Sequence, residues 1–235
     1  MKKKFNHIIL TPFNFYRPQW GINALSDDWM EKRIKIFKDV TYQSMMSQTN
    51  MNYSWIVALD YNTPCKWISE FKKFEYVSFV YVHNTQDLWK NLVSPLLSYS
   101  YLITTRIDND DALSMDFIES IQTKFNPLNL GFINFLNGLT TDGIGRLYAV
   151  KKPSNPFISY MEHVGAEMVK TVRSCKHEKA KYMEGFRQIR DTAPLWMVYV
   201  HGGNKGNSLP KGSTYASTEL LDRFDVNLPI KEAFK

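Results

Sequence analysis

Apolar residues along this chain gather in short runs, and between the runs they recur at helical spacing. Phe5–Leu10, Tyr53–Leu59, Tyr76–Val82 and Tyr101–Ile107 are rich in Ile, Val, Phe and Tyr, the composition of buried strands. Thr11-Pro12-Phe13-Asn14 closes the first run, and Asn62-Thr63-Pro64 turns the chain after the second. Ser26-Asp27-Asp28 caps a helix starting near Trp29, with Met30, Ile34, Phe37 and Val40 as its apolar stripe. Trp67–Phe74, Leu88–Ser98 and Ser114–Phe125 read as further helices, the last stopped by Asn126-Pro127. Strand and helix thus alternate through the first half. That pattern predicts an α/β fold, with a mostly parallel sheet flanked by helices.

The second half is less regular. Phe132–Phe135 and Leu147–Val150 read as strands around a Gly-containing loop, Asn137–Gly145. Pro156–Lys170 and parts of Lys176–Ile189 read as helix, and Leu195–Val200 as a strand closed by His201-Gly202-Gly203-Asn204. From Lys205 onward Gly, Ser, Pro and Lys predominate, with a short helix expected over Ser217–Phe224.

In open α/β sheets, ligands bind beyond the carboxyl ends of the strands. Thr11–Asn14, Asp60 and the acidic run Asp108-Asn109-Asp110-Asp111 all fall at such ends. Asp108 and Asp110, two apart, share a face if the extended geometry continues. Carboxylates so placed can hold a divalent cation that completes its shell with water and substrate phosphates. A second reading is open: a turn whose Asp and Asn side chains cap the following helix. An EF-hand loop is excluded, because Ala112 and Leu113 stand where an oxygen ligand and the turn glycine are needed. His201 fits either a metal or a phosphate contact, and the glycines after it allow close backbone approach; closing a buried strand is its alternative role.

Composition narrows the partners. The net charge is +6, and much of the excess lies in residues 151–190, where nine Lys or Arg face few acids. That stretch suits an anionic ligand or peripheral contact with the inner face of a membrane, or it is a solvated helical face. Nucleic acid is not expected as a partner, since no zinc spacing, RNA-binding motif or helix-turn-helix is present. Two cysteines, Cys65 and Cys175, form no disulfide framework, and no apolar run approaches the roughly 20 residues of a membrane span. Lys2-Lys3-Lys4 before Ile8-Ile9-Leu10 lacks the apolar length and cleavage site of a signal peptide, so a cytoplasmic protein is expected.

The segment "YLITTRIDNDDALSMDFI" resembles the TR(L/I)DxDDAL segment of the putative rhamnosyltransferases, a bacterial family with the glycosyltransferase-A fold. "HIILTPFN", "SWIVALDYNTP", "FINFLNG", "SNPFISYMEH" and "APLWMVYVHGGN" are similar too, in the same order, so that the resemblance spans roughly residues 5–207. Where such sequences often carry Arg-Phe-Asn after the first strand, this chain has Pro12-Phe13-Asn14, with Arg17 as the nearby substitute.

The resemblance implies one glycosyltransferase-A-like domain over residues 1–235. Residues 1–125 form its nucleotide-binding half, 126–207 its acceptor side and 208–235 a tail. It implies transfer of a sugar, rhamnose among the options, from a dTDP-, UDP- or GDP-linked donor to a polysaccharide or glycolipid acceptor. Mn2+ or Mg2+ would be held by Asp108, Asp110 and His201, with Asp108 also toward the ribose. Thr11, Asn14, Asp60 and Arg106 would contact the nucleotide. Asp111 would orient the sugar or fix the loop. An inverting enzyme also needs a general base, for which Glu162, Glu178 and Asp191 are candidates. A nucleotidyltransferase-like enzyme and a non-catalytic binder of anionic ligands are the alternatives.

Overall fold

The structure is a computed structural model and describes residues 5–15, 23–83, 98–165, 169–190, 192–204, 207–210 and 215–228. Its first strand, β1 (Asn6–Pro12), lies between β2 (Ser54–Asp60) and β4 (Tyr101–Arg106), parallel to both; β3 (Ser78–Val82) extends the sheet beyond β2, also parallel. Each expected strand of the first half is therefore present, within a few residues at its ends. Alternate residues of these strands feed opposite faces. Ile9, Trp55, Val57 and Ile103 pack in one core cluster, while Ile8, Leu10, Ile56 and Leu102 pack in another. Burial on both faces explains why the strands read as continuous apolar runs rather than alternating ones.

The helices cover the first of these faces. Helix α1 (Asp27–Ile36) runs into a wider π-turn, Phe37–Tyr42, and then into the short α2 (Gln43–Met46). Met30, Phe37 and Val40 of the expected stripe are fully buried, but Arg33 is buried with them. Helix α3 (Cys65–Phe71) ends by burying Phe71, which packs edge-on against Phe13 at 4.9 Å between ring centres. The expected helix Leu88–Ser98 lies outside the described residues except for its last position.

The second half departs from expectation at three places. Pro156–Lys170 was expected to be helical, yet Ser159–His163 is the strand β9. It runs antiparallel between β4 and β6 (Gly131–Phe135), so both of its edges are paired, while Met161 packs in one core cluster and Tyr160 against the other. A short, two-sided buried strand carries no alternation that separates it from a helix by pattern alone. The loop expected over Asn137–Gly145 contains β7 (Asn137–Thr141), which forms a hairpin with β8 (Leu147–Lys151). Asp142 closes that turn by accepting the backbone N–H groups of Ile144 and Arg146 and pairing with the Arg146 guanidinium at 2.5 Å. Lys176–Ile189 contains a one-turn helix, His177–Ala180, and then the strand β10 (Arg187–Ile189) beside β6.

Among the described residues, the main sheet has the order β10-β6-β9-β4-β1-β2-β3. Strands from both halves of the chain pair within it. A second sheet joins β5 (Ala112–Leu113), β11 (Trp196–Tyr199), β7 and β8 in that order. Helix α4 (Phe117–Gln122) follows β5 and buries Phe117, Ile118 and Ile121. The expected late helix is a 3-10 turn, Thr218–Arg223, whose Leu221 joins the core under the second sheet. No helix among the described residues is long and apolar enough to cross a membrane.

Trp196 shows why β7 needs a glycine. Its indole is fully buried, stacks on Phe157 and donates Nε1–H to the Phe135 carbonyl at 2.8 Å. A Cβ on Gly138 would fall 2.2 Å from that ring. Gly138→Ala is expected to overpack this site and cost about 1–3 kcal/mol of stability, read from urea unfolding of the two proteins.

Candidate active site

The acidic run leaves β4 at Arg106 and is folded back over the ends of the central strands. Ile107 N–H donates to the Leu10 carbonyl and Arg106 N–H to Ile158 O, holding the run against β1 and the start of β9. Asn109, itself buried, donates to the Phe13 carbonyl at 2.6 Å and accepts from Arg33 at 2.9 Å. Thr41 donates to the Asp111 carbonyl at 2.8 Å. Each acid is thereby given its own surroundings.

Asp108 is bracketed by arginines. Arg106 donates from Nε and Nη2 to its two oxygens at 3.3 and 2.7 Å, and Arg173 Nη2 stands 3.7 Å away. Burial pushes the Asp108 carboxyl up, but the two guanidinium groups outweigh it and hold the pKa down at about 2. Asp110 receives Arg33 Nη1 at 2.5 Å, His201 Nε2 at 3.1 Å and Asn204 Nδ2 at 3.3 Å. All three fall on Oδ2; Oδ1 has no hydrogen bond among the described residues. Asp111 is almost fully buried and accepts the backbone N–H of Tyr199 at 3.2 Å. Burial first, then the carboxylates of Asp110 and Asp108, push its pKa well above the usual range.

The C-terminal element is built by its own turn. Gly202 takes φ +80°, where a side chain would be strained. Asn204 accepts the His201 N–H at 2.8 Å and donates to the Tyr199 carbonyl at 2.9 Å, which folds His201-Gly202-Gly203-Asn204 back onto Asp110.

Several of these groups, but neither Asp111 nor His201, border a cavity of about 430 Å³. Phe13, Phe15, Ala24 and Trp29 give it an apolar wall, and Arg33 lies over the Trp29 ring at 5.0 Å. Its polar lining includes Arg106, Asp108, Asn109, Asp110, Lys152, Arg173, His177, Glu178 and Asn204. The volume is in the range of small-molecule sites. Asp108, Asp110 and Arg106 thus meet where the pattern of strand ends put them, with His201 against Asp110.

Other expected residues lie elsewhere. Thr11 is fully buried and accepts from the Trp55 indole at 3.0 Å. Asn14, also fully buried, donates to Thr63 at 3.0 Å and accepts the Asp60 N–H at 2.9 Å. Asp60 spends its Oδ1 on Asn62, closing a turn. None of the three lines the cavity; each holds a strand end in place through its hydrogen bonds. Glu162 sits on β9, not a helix, and its carboxylate accepts the backbone N–H groups of Lys170 and Thr171 at 2.8 and 2.9 Å. Burial raises its pKa, against the pull of those two amides. It anchors a loop and does not reach the cavity. Asp111 is likewise absent from the lining. Arg17 and Asp191 lie outside the described residues.

Sequence reasoning overlooked Arg33. Its position, three after Met30 and four before Phe37, puts an arginine on the buried stripe of α1, and a buried cation needs an anion. The basic stretch was noticed, but not that Lys152, Arg173 and His177 within it converge on one cavity.

Among the described residues, no three His, Cys, Asp or Glu side chains come together in a way that could hold a metal ion. The donor chemistry nonetheless suits a cation that takes few protein ligands. Asp110 and His201 are adjacent, Asp110 lines the cavity, and its Oδ1 makes no hydrogen bond among the described residues.

The family described as "Putative rhamnosyl transferase" matches residues 23–209. A search of curated protein sequences gives no match. Among solved structures, S. aureus TarS 1–349 in complex with UDP-GlcNAc is similar at 12% identity and a TM-score of 0.51, over 86% of this chain and 60% of that one. HddC from Yersinia pseudotuberculosis is similar at 13% identity and a TM-score of 0.41, over 79% of this chain and 89% of that one. The likeness to TarS carries the fold, a glycosyltransferase-A-like α/β domain, and the chain spans three-fifths of that fragment.

Arg33 and Asp110 are both buried, so removing one partner strands the other's charge. Arg33→Met is expected to cost about 3–5 kcal/mol, and adding Asp110→Asn to recover part of the loss, in a double-mutant cycle by chemical denaturation.

Proposed function

The chain belongs to the putative rhamnosyl transferase family, and from that membership we propose that it is a glycosyltransferase moving a sugar from a nucleoside-diphosphate donor to a hydroxyl of a glycan or glycolipid. One observation carries the reading. Arg106, Asp108 and Asp110 at the carboxyl end of β4 border one cavity of about 430 Å³ together with Arg33 and Arg173.

The leaving diphosphate gains negative charge as the anomeric bond breaks. Arg106 and Arg173 already offset Asp108, and Arg33 offsets Asp110. With Lys152 on the same wall, they surround the place where phosphate oxygens would accept hydrogen bonds. The aromatic wall of Phe13, Phe15 and Trp29 offers a flat apolar surface to a base or a sugar ring.

Asp110 and His201 are the residues that would hold Mn2+ or Mg2+. To hold the ion His201 would need a free ring nitrogen, and its Nδ1 makes only a weak 3.3 Å contact with the Gly203 N–H. The ion supplies positive charge beside the leaving diphosphate and orients the donor. Asp108, engaged by two arginines, is left to position those guanidinium groups. The acceptor is unspecified beyond its hydroxyl, and the donor nucleotide is dTDP, UDP or GDP. Two cysteines, both free, fit a reducing, cytoplasmic compartment. The basic stretch leaves room for peripheral contact with a membrane's inner face.

Mn2+ and a nucleoside diphosphate together are expected to raise the melting temperature more than the sum of their separate effects, and Asp110→Asn to remove that coupling, by differential scanning fluorimetry. In a panel of nucleotide sugars the protein should slowly release free sugar and nucleoside diphosphate from one of them. Release of pyrophosphate instead, or no thermal response to any diphosphate, would overturn the proposal.

A further inference from the structure

Of the acids expected to act as general base, Glu162 does not reach the cavity, Asp191 lies outside the described residues and Glu178 lines the cavity. Glu162 is committed to two backbone amides, Asp111 is sealed behind Asp110, and neither lines the cavity. Glu178 lines it beside His177, an unexpected titratable group, at the start of the one-turn helix.

His177 is held from two directions. Its Nδ1 lies 2.8 Å from the Ser154 carbonyl, and its own carbonyl accepts the Ser154 hydroxyl. Ser154 adopts φ +54° to make this reciprocal contact. A carbonyl only accepts, so Nδ1 must carry a proton. Nε2 is therefore the basic nitrogen, and it lies 3.0 Å from Glu178 Oε1. An imidazole tied at Nδ1 with a carboxylate beside Nε2 can accept one proton and be stabilised as it does so.

We propose that His177 is the general base of the transfer, supported by Glu178, and that the reaction inverts the anomeric carbon. This rests on the glycosyltransferase reading above. The acceptor oxygen bonds to the anomeric carbon as the bond from that carbon to the diphosphate oxygen breaks. The electron pair of the broken bond leaves with the diphosphate, and the hydroxyl proton passes to Nε2 of His177. The imidazolium then faces the Glu178 carboxylate, which offsets its charge.

The charged groups facing His177 are Arg106 on β4, Lys152 after β8, Asp108 in the acidic run and Glu178 on its own helix. Burial lowers the His177 pKa below its ordinary value; the Ser154 contact and Glu178 pull it up, while Arg106 and Lys152 push it down. The net lowering keeps the imidazole neutral, and so able to take a proton, at neutral pH. Turnover should rise with pH through that lowered pKa and then level off.

The test uses whichever UDP-, dTDP- or GDP-sugar the wild-type protein hydrolyses, with water as the acceptor. His177→Gln keeps a donor for the Ser154 carbonyl but cannot take a proton. It should lower kcat for hydrolysis by about 10²–10⁴-fold and keep the donor-dependent rise in melting temperature. Sodium azide attacks without giving up a proton, so glycosyl azide formation should stay near the wild-type rate. Glu178→Gln should lose less and shift the acid limb of the pH profile to lower pH. Proton NMR should show the first free sugar with the anomeric configuration opposite to the donor's. Wild-type hydrolysis by His177→Gln, equal loss of the water and azide reactions, or retention of configuration would each overturn this inference alone. A wild-type protein that cleaves no nucleotide sugar would overturn the transferase reading with it.

Discussion

Three carboxyl groups within four residues, packed at the end of a central strand, cannot stay there uncompensated. Two like charges about 4 Å apart repel by about 4 kcal/mol at an effective dielectric constant of about 20, and burial adds a desolvation cost. The fold meets this with three arginines from three places: Arg33 on α1, Arg106 at the end of β4 and Arg173 from the segment after β9. The third acid, Asp111, is handled differently, with its pKa raised by burial and by its neighbours. Because the arginines come from distant parts of the chain, the acidic run can settle only when the sheet and α1 are assembled around it. The same guanidinium groups line the cavity, so the solution to a folding problem is also the surface proposed to bind the diphosphate.

This arrangement explains how the second half contributes. β9 enters antiparallel beside β4, and the chain on either side of it delivers Lys152, Arg173 and His177 to the cavity, with Ser154 bonded to His177. β11 ends in the turn that sets His201 and Asn204 against Asp110. The first half thus supplies acids, Arg33, Arg106 and an aromatic wall, while the second supplies Lys152, Arg173 and two imidazoles. Neither half alone makes a site.

Where a segment's physics is local, the sequence shows it. β1 to β4 are apolar runs because both faces of the parallel sheet are covered, and Asp108 and Asp110 stand at a strand end as their spacing implied. β9 was misread as a helix because its burial comes from its neighbours and leaves no alternation in its own residues. β7 was misread as a loop because Gly138 answers to the Trp196 ring some sixty residues away. The site shows the same division. Asp110 and His201 stand out by residue type, but Thr11, Asn14 and Glu162 look functional only until their buried hydrogen bonds are traced. Arg33 was legible in principle, as a charge on an apolar stripe. His177 became visible only once Ser154 fixed its tautomer.

The central claim is that Asp110 and His201 meet a metal-bound diphosphate among the arginines of this cavity. Crystals grown with Mn2+ and an excess of UDP, dTDP or GDP test it directly through the anomalous signal of manganese. The account predicts one peak at about 2.0–2.3 Å from Asp110, with the diphosphate oxygens against Arg106 and Arg173. A diphosphate bound elsewhere, or a cavity without manganese in which Asp110 still spends its carboxylate on Arg33, His201 and Asn204, would contradict it.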